Sequence, residues 1–408
     1  MQKLLDTPVG KLLGMDLVSA LKQGFALVHG NPNLIETFIR EAYNNLIGVP
    51  FHRRFFPGCS SLPTEITLDL TRRCNLNCVM CTQIRHTTDI PSELSWYDKK
   101  REMPLSEWIS VLDQIASFRP RLHITGGEPF LYSGVEELIS EAKKRGLFVR
   151  LTSNGTLLAG VSDLLVSKGV EVMAVSVDGP AEVHDGIRGQ RGAFRRTADG
   201  IRSLQEARRR LGKRIPLIVL ISTISKGNLD SLEDIVPMAL DLGVDVLEVH
   251  HTFFNSRSNI DKHNRIFASQ ASVRNLKLLL PVISDIEYYE SEIGREDLER
   301  IREGVNTMRR QARGWLNVIF VPNIPDELID PYYMDLDYPF PQICKRLWKS
   351  CRIYPDGSLA PCLHVAIGNI TEQGFREIWN SRKMRDFRLT VDRGLFPACA
   401  RCCSRRYA

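Results

Sequence analysis

Three cysteines fall within eight positions in RRCNLNCVMCTQIRH, residues 72 to 86: Cys74, Cys78 and Cys81, spaced C-x3-C-x2-C. In a reducing compartment, clustered thiols point to metal or redox chemistry rather than to disulfides. A structural zinc site takes four tetrahedral ligands, commonly in two pairs. Here the spacing is asymmetric, and the nearest imidazole is His86. A [4Fe-4S] cube has four irons and ordinarily four thiolates. Three thiolates would leave one iron with an open position, which a cluster needs if it is to bind a reactant.

Nine of the ten cysteines lie in this group or in a second one, Cys344, Cys351, Cys362, Cys399, Cys402 and Cys403. Cys59 stands alone and reads as a free, partly buried thiol. The polar turns GGEP (126 to 129), SNG (153 to 155) and SVDG (176 to 179) are the other candidates for chemistry. Adjacent glycines let backbone approach a ligand closely. Glu128 can accept from an ammonium, and Arg188 can pair with a carboxylate. Ser153, Asn154, Ser176 and Asp178 offer short polar side chains, and each also has an ordinary turn-forming reading.

These residues need elements to position them. From about residue 64, short β-rich runs alternate with amphipathic helical runs: EITLDL, RLHIT, FVRLTS, VEVMAVS, IPLIVLISTIS and VDVLEVHH. Six strands with intervening helices predict parallel strands joined by crossovers. Ligands then sit at the C-terminal strand ends. The cysteine loop, GGEP, SNG and SVDG each follow a predicted strand, so they share one face. LNVIFVPNI reads as a further strand. Residues 1 to 60 read as a helical extension and 61 to 325 as the α/β body. Residues 326 to 408 are Pro- and Cys-rich and read as a small metal-stapled domain, because so short a piece buries little core alone.

Composition bounds the rest. The 408 residues are 43% hydrophobic and 25% charged, as in a globular protein, with a mild net charge of +6 that permits an anionic partner without requiring one. The basic run of residues 195 to 214 reads as a solvated helix face, and no nucleic-acid partner is expected. No window approaches eighteen uninterrupted apolar residues, and scattered charges break up any signal-peptide core. A cytoplasmic location is the expectation.

The C-x3-C-x2-C loop, with Met80 before its last cysteine, resembles the signature of the radical S-adenosylmethionine superfamily. GGEP resembles the family's methionine-binding turn, and HDGIRG (184 to 189) resembles a stretch of its multi-cluster members. The likeness spans about residues 64 to 255. It implies a partial (β/α)6 barrel of TIM type. It implies a [4Fe-4S] cluster on Cys74, Cys78 and Cys81, with S-adenosylmethionine contacted by Gly126, Gly127, Glu128, Pro129, Ser153, Asn154, Ser176, Asp178 and Arg188. The implied chemistry is reductive cleavage of that ligand to a 5′-deoxyadenosyl radical, which abstracts a substrate hydrogen.

The C-terminal pattern, with GNI at 368 to 370 and EIW at 377 to 379, resembles the superfamily's SPASM or twitch domain. It implies a second [4Fe-4S] cluster on Cys344, Cys362, Cys399 and Cys402, with zinc as the alternative occupant. Cys351 and Cys403 depart from the pattern. A fully ligated cluster suits electron relay in a net oxidation or cross-linking of a peptide or small molecule. A flavodoxin or ferredoxin is the implied electron donor. Two other readings stay open: a lipid- or sugar-modifying enzyme with peripheral membrane contact through the N-terminal helices, and a non-catalytic iron–sulfur electron carrier. His250, ending a predicted strand with Glu248 on the same face, is the candidate catalytic side chain.

Overall fold

The computed structural model describes residues 39–40, 42–81, 101–273, 275–278, 292–338, 344–363 and 365–402. Its centre is a parallel sheet in which six strands follow in chain order: β1 (Glu65–Asp69), β2 (Arg121–Thr125), β3 (Val149–Ser153), β4 (Val172–Ser176), β5 (Leu217–Ile224) and β6 (Val246–His251). This is the expected partial barrel. The predicted further strand, β7 (Asn317–Val321), lies parallel to β6 at one edge. The helical part of the predicted N-terminal extension includes α1 (Val49–Phe55); residues 1 to 38 lie outside the described residues.

Two-residue alternation sorts the strand side chains between two faces. Ile66, Leu68, Leu122, Ile124, Val149, Leu151, Met173, Val175, Ile218, Leu220, Leu247 and Val249 form the outward set, and all are buried in the main core. Helices cover that set. In α2 (Leu105–Ala116) the buried residues are Trp108, Val111, Leu112 and Ile115; in α3 (Val135–Lys144) they are Val135, Leu138, Ile139 and Ala142. These are the i, i+3, i+4, i+7 stripes of amphipathic helices. After α4 (Ser162–Lys168) and α5 (Ala181–Arg188), α6 (Ala193–Arg210) carries the basic run, and α7 (Ile235–Asp241) follows β5. Its Arg195, Arg196 and Arg202 are exposed, while Arg208 pairs with Asp245 at 2.8 Å, as a solvated face should.

The C-terminal segment is continuous with the barrel sheet. β8 (Ser350–Ile353) pairs in parallel with β1, and β9 (Ser358–Ala360) and β10 (Gly368–Asn369) add antiparallel at that edge. The sequence, read as a small self-stapled unit, did not indicate this. Sharing the sheet supplies core that the segment cannot build alone.

The two histidines ending β6 go opposite ways. His251 faces outward and is buried, with Nδ1 2.8 Å from the Tyr333 hydroxyl; burial lowers its pKa to about 3. A histidine depressed below its unfolded value near 6.5 contributes stability that is complete above that pH. The contribution is lost as pH falls through 6.5 toward the folded value. The urea midpoint should therefore drop between pH 7 and pH 5, and His251→Phe should make that drop shallower. An unchanged slope would remove His251 from the acid response.

Candidate active site at the strand ends

The loop after β1 carries Cys74, Cys78 and Cys81, and three neighbouring turns clamp it. The first is GGEP. Gly127 N donates to Thr71 O at 2.7 Å, and Glu128 N donates to Arg73 O at 2.8 Å. A Cβ on Gly126 would stand 2.7 Å from Thr71 O, and one on Gly127 only 2.3 Å from Arg73 O. The glycines thus serve close approach, as expected, but the partner they meet here is the cysteine loop's own backbone.

The second clamp is SNG. Asn154 Nδ2 donates to Asn75 Oδ1 at 2.8 Å and lies 3.8 Å from Cys74 Sγ; Asn75 Nδ2 donates to Thr156 Oγ1 at 2.8 Å. The third is the end of α5. Asn77 N donates to Arg188 O and Val79 N to Ile187 O. Gly189 has a φ of +66°, and a Cβ there would meet Asn77 O at 2.3 Å.

Arg188, at the foot of this clamp, pairs with Asp178 at 2.7 Å, and its Nη1 lies 3.8 Å from Cys78 Sγ. Hydrogen bonds to cluster sulfurs are one way a protein sets a cluster's potential. Burial pushes the Cys74 thiol up to about 11 and also raises Cys78, against the pull of Arg188. A metal centre binds the thiolate form, so a cluster held here would displace those protons to solvent. The donor set therefore fits a cluster.

The polar residues read as ligand contacts are largely spent on this framework. Glu128 is fully buried; Ser153 Oγ donates to it at 2.8 Å, Asn154 N at 2.9 Å and Phe130 N at 3.3 Å. Burial outweighs those bonds and pushes its pKa up to about 7. Asp178 accepts from Thr223 N besides pairing with Arg188. Pro129 is buried, and Ser176 ends β4 on the inward face.

A methyl added at Gly127 must push two backbones apart. Gly127→Ala should cost about 1–3 kcal/mol and cut S-adenosylmethionine cleavage by about a hundredfold, because the loop's position is displaced. Gly160→Ala, where the new Cβ meets nothing within 4 Å, is the control. Equal activity of the two variants would show that the clamp does not matter.

The inward strand face forms a wall that the sequence reading did not single out. Arg150 on β3 grips Glu248 on β6 through contacts of 2.8 and 3.0 Å, although β4 and β5 lie between those strands in the sheet. Only the concave side allows that reach. His250 Nε2 lies 3.4 Å from Glu248 Oε2, so the two do share a face. Glu248 is held well below the usual carboxylate range; its burial alone would raise it, and Arg150 and His250 overcome that. Register adds Glu65, Arg121, His123 and Arg352 to the same face. Beside Glu248 and His250, β4 to β7 contribute an apolar patch to the same wall: Val172, Ala174, Val219, Ile221, Val246 and Ile319. The signal was available in the sequence. Parallel strands covered on both faces are nearly all apolar, so alternating Glu65, Arg121, His123 and Arg150 mark a wall open to solvent or ligand.

At the other end of the chain, Cys344, Cys362, Cys399 and Cys402 all line one cavity of about 90 Å³, with Phe387, Leu395 and Phe396 among its apolar neighbours. Among the described residues no three His, Cys, Asp or Glu side chains are arranged around a single-ion position. Four thiols lining one cavity supply the donor set of a [4Fe-4S] cluster. The turn before Cys399 is held by α8 (Arg257–Ser269): Asn259 Nδ2 donates to Pro397 O at 3.0 Å and His263 accepts from Ala398 N. Cys351 faces the opposite way, fully buried in the core beside Ile66, and is not at the cavity. Cys403 lies outside the described residues.

Family models match twice: "Radical SAM superfamily" over residues 68–236 and "Iron-sulfur cluster-binding domain" over residues 344–403. The chain is 30% identical to the AdoMet-dependent heme synthase of Methanosarcina barkeri, covering 80% of this chain and 86% of that one. It is 28% identical to the PqqA peptide cyclase of Ruegeria pomeroyi, covering 78% and 74%. Among solved structures, Streptococcus suis SuiB bound to S-adenosylmethionine superposes with a TM-score of 0.56 at 15% identity, over 88% of this chain and 74% of that one.

Proposed function

The chain belongs to the radical S-adenosylmethionine superfamily and carries a SPASM-type iron–sulfur domain, and from that premise we propose that it oxidises or cross-links an unactivated C–H position in a peptide. A reduced [4Fe-4S] cluster with S-adenosylmethionine bound supplies a 5′-deoxyadenosyl radical able to take a hydrogen atom from such a position. In this reading Cys74, Cys78 and Cys81 hold that cluster and leave one position for the methionine end of the ligand. Arg188 and Asn154 aim N–H groups at the sulfurs. Gly126 to Pro129, Ser153, Asn154, Ser176 and Asp178 border the ligand, with backbone edges making most of the contact because the carboxylates are engaged. Cys344, Cys362, Cys399 and Cys402 enclose the second cluster.

The inner wall takes the substrate. Its apolar patch on β4 to β7 packs against side chains, and its ionic residues, Arg150 and Glu248 among them, orient the polar backbone. His250 is the group that moves a proton, with Glu248 beside it and Arg150 fixing Glu248. The observation that carries the proposal is the pairing in one chain of an open three-thiol loop, clamped at strand ends, with a closed four-thiol cavity. The peptide substrate is supported by the PqqA peptide cyclase relative and by a similar fold in SuiB bound to precursor peptide SuiA. A second reading, radical chemistry on a tetrapyrrole, is favoured by the likeness to AdoMet-dependent heme synthase.

The test is anaerobic incubation with S-adenosylmethionine and either dithionite or reduced flavodoxin or ferredoxin. Peptides encoded beside the gene are then offered, and 5′-deoxyadenosine and peptide mass are followed together. Loss of two hydrogens from a peptide supports the proposal. The same loss from a tetrapyrrole, with every peptide unchanged, selects the second reading.

A further inference from the structure

Of the twelve exposed large hydrophobic residues among the described positions, seven lie between Ile39 and Phe56: Ile39, Tyr43, Leu46, Ile47, Phe51 and Phe55 in helical turns, and Phe56 at the bend that follows. Ile39, Tyr43, Ile47, Phe51 and Phe55 recur every four residues. A strict four-residue step drifts around an α-helix of 3.6 residues per turn. The segment is π-wound over Asn44–Gly48, just before α1. Its i→i+5 bonds turn the chain less per residue and offset that drift, which keeps the stripe on one side. Contiguous apolar surface of this kind marks an interaction site.

The charge around the stripe selects its partner. From residue 39 to residue 64 the sequence has one acidic residue, Glu41, against Arg40, Arg53 and Arg54, and exposed Arg54 adjoins Phe55. Gly58 rests on the backbone of Arg385 in α12 (Arg382–Arg393), the last helix after α9 (Leu298–Gln311), α10 (Ile329–Met334) and α11 (Phe375–Trp379). The first turn of α12 has no acidic residue and exposes Arg382, Lys383 and Arg385. Arg53 ties the two helices together through Asp392 at 2.6 Å. A second copy docking on the stripe would bring these cations together, whereas anionic headgroups would neutralise them. No helix among the described residues is long and apolar enough to cross a membrane, so the contact is an interfacial one.

We propose that this stripe, with the basic turn of α12, seats the protein on an anionic lipid surface. The segment lies at the opposite end of the strands from the cysteine loop: Arg40 donates to Arg119 O just before β2 begins, while the loop follows the end of β1. The radical site therefore faces away from the lipid.

The test is co-sedimentation of the full chain with vesicles of phosphatidylcholine alone or with one-third phosphatidylglycerol, at low and high salt. Wild type should pellet with the anionic vesicles and less so at high salt. Ile47→Asp/Phe51→Asp/Phe55→Asp alters only exposed positions and should lower binding roughly tenfold or more. Arg382→Glu/Lys383→Glu/Arg385→Glu should erase the preference for anionic lipid. Iron content and circular dichroism of each variant check folding. Wild type remaining in the supernatant overturns the proposal, as does equal pelleting of the stripe variant. A dimer in sedimentation velocity that the stripe variant abolishes, without vesicle binding, overturns it in favour of a second copy. Binding seen only after deletion of residues 1 to 38 overturns it in favour of cover by the chain's own N-terminus.

Discussion

Replacing Cys74, Cys78 and Cys81 together by alanine should abolish S-adenosylmethionine cleavage and lower bound iron from about eight to about four per chain, the content of one remaining [4Fe-4S] cube. The reason lies in where these thiols sit. The loop that bears them is fastened through its backbone to GGEP and to α5, and through Asn75 to SNG. None of those bonds uses a cysteine side chain. The loop should therefore keep its course without the thiols, and the barrel should stay folded while its metal is lost. Iron analysis, circular dichroism and 5′-deoxyadenosine formation on the same preparation separate these effects. Surviving cleavage would mean that the opening motif is not the catalytic site.

Cys399→Ala/Cys402→Ala should give the opposite pattern. Two of four sulfurs leave the C-terminal cavity, and the metal's contribution to ordering that segment goes with them. The three-thiol loop uses other strand ends and other clamps, so 5′-deoxyadenosine should still form with S-adenosylmethionine and dithionite. Product should fall to background, because shaping of the substrate pocket or removal of an electron depends on the second site. Both products are measured side by side, with Mössbauer spectra of each variant. Full turnover without the second cluster would sink its proposed role, and zinc at that site in anaerobically prepared wild type would sink it more directly. Cys351→Ala, by contrast, deletes a buried core group outside the cavity and should lower stability without changing iron content.

Most of the barrel was legible because strand and helix periods are local. EITLDL, RLHIT and FVRLTS each show which residues share a face, and the amphipathic stripes of α2 and α3 show what covers the outer one. The cysteine spacing was legible for the same reason, since three thiols within eight residues of one folded loop lie close enough to share a metal group. The glycine pair in GGEP announced a close approach, but not its partner. Glu128 was read as a ligand contact, while the fold spends its carboxylate on SNG; nothing in either tetrapeptide says that the two turns meet.

The sequence by itself determined the parallel α/β body, the open three-thiol loop at its strand ends and a second cysteine group needing a metal. Tertiary structure alone decided that β8 continues the barrel sheet beside β1, that Cys351 packs in the core beside Ile66, and that Arg150 meets Glu248 across two intervening strands. The physical reason is one of range. Side-chain period is written within a strand, but curvature of the sheet sets which inward residues touch. That curvature is a sum over many packed contacts, and no single segment carries it.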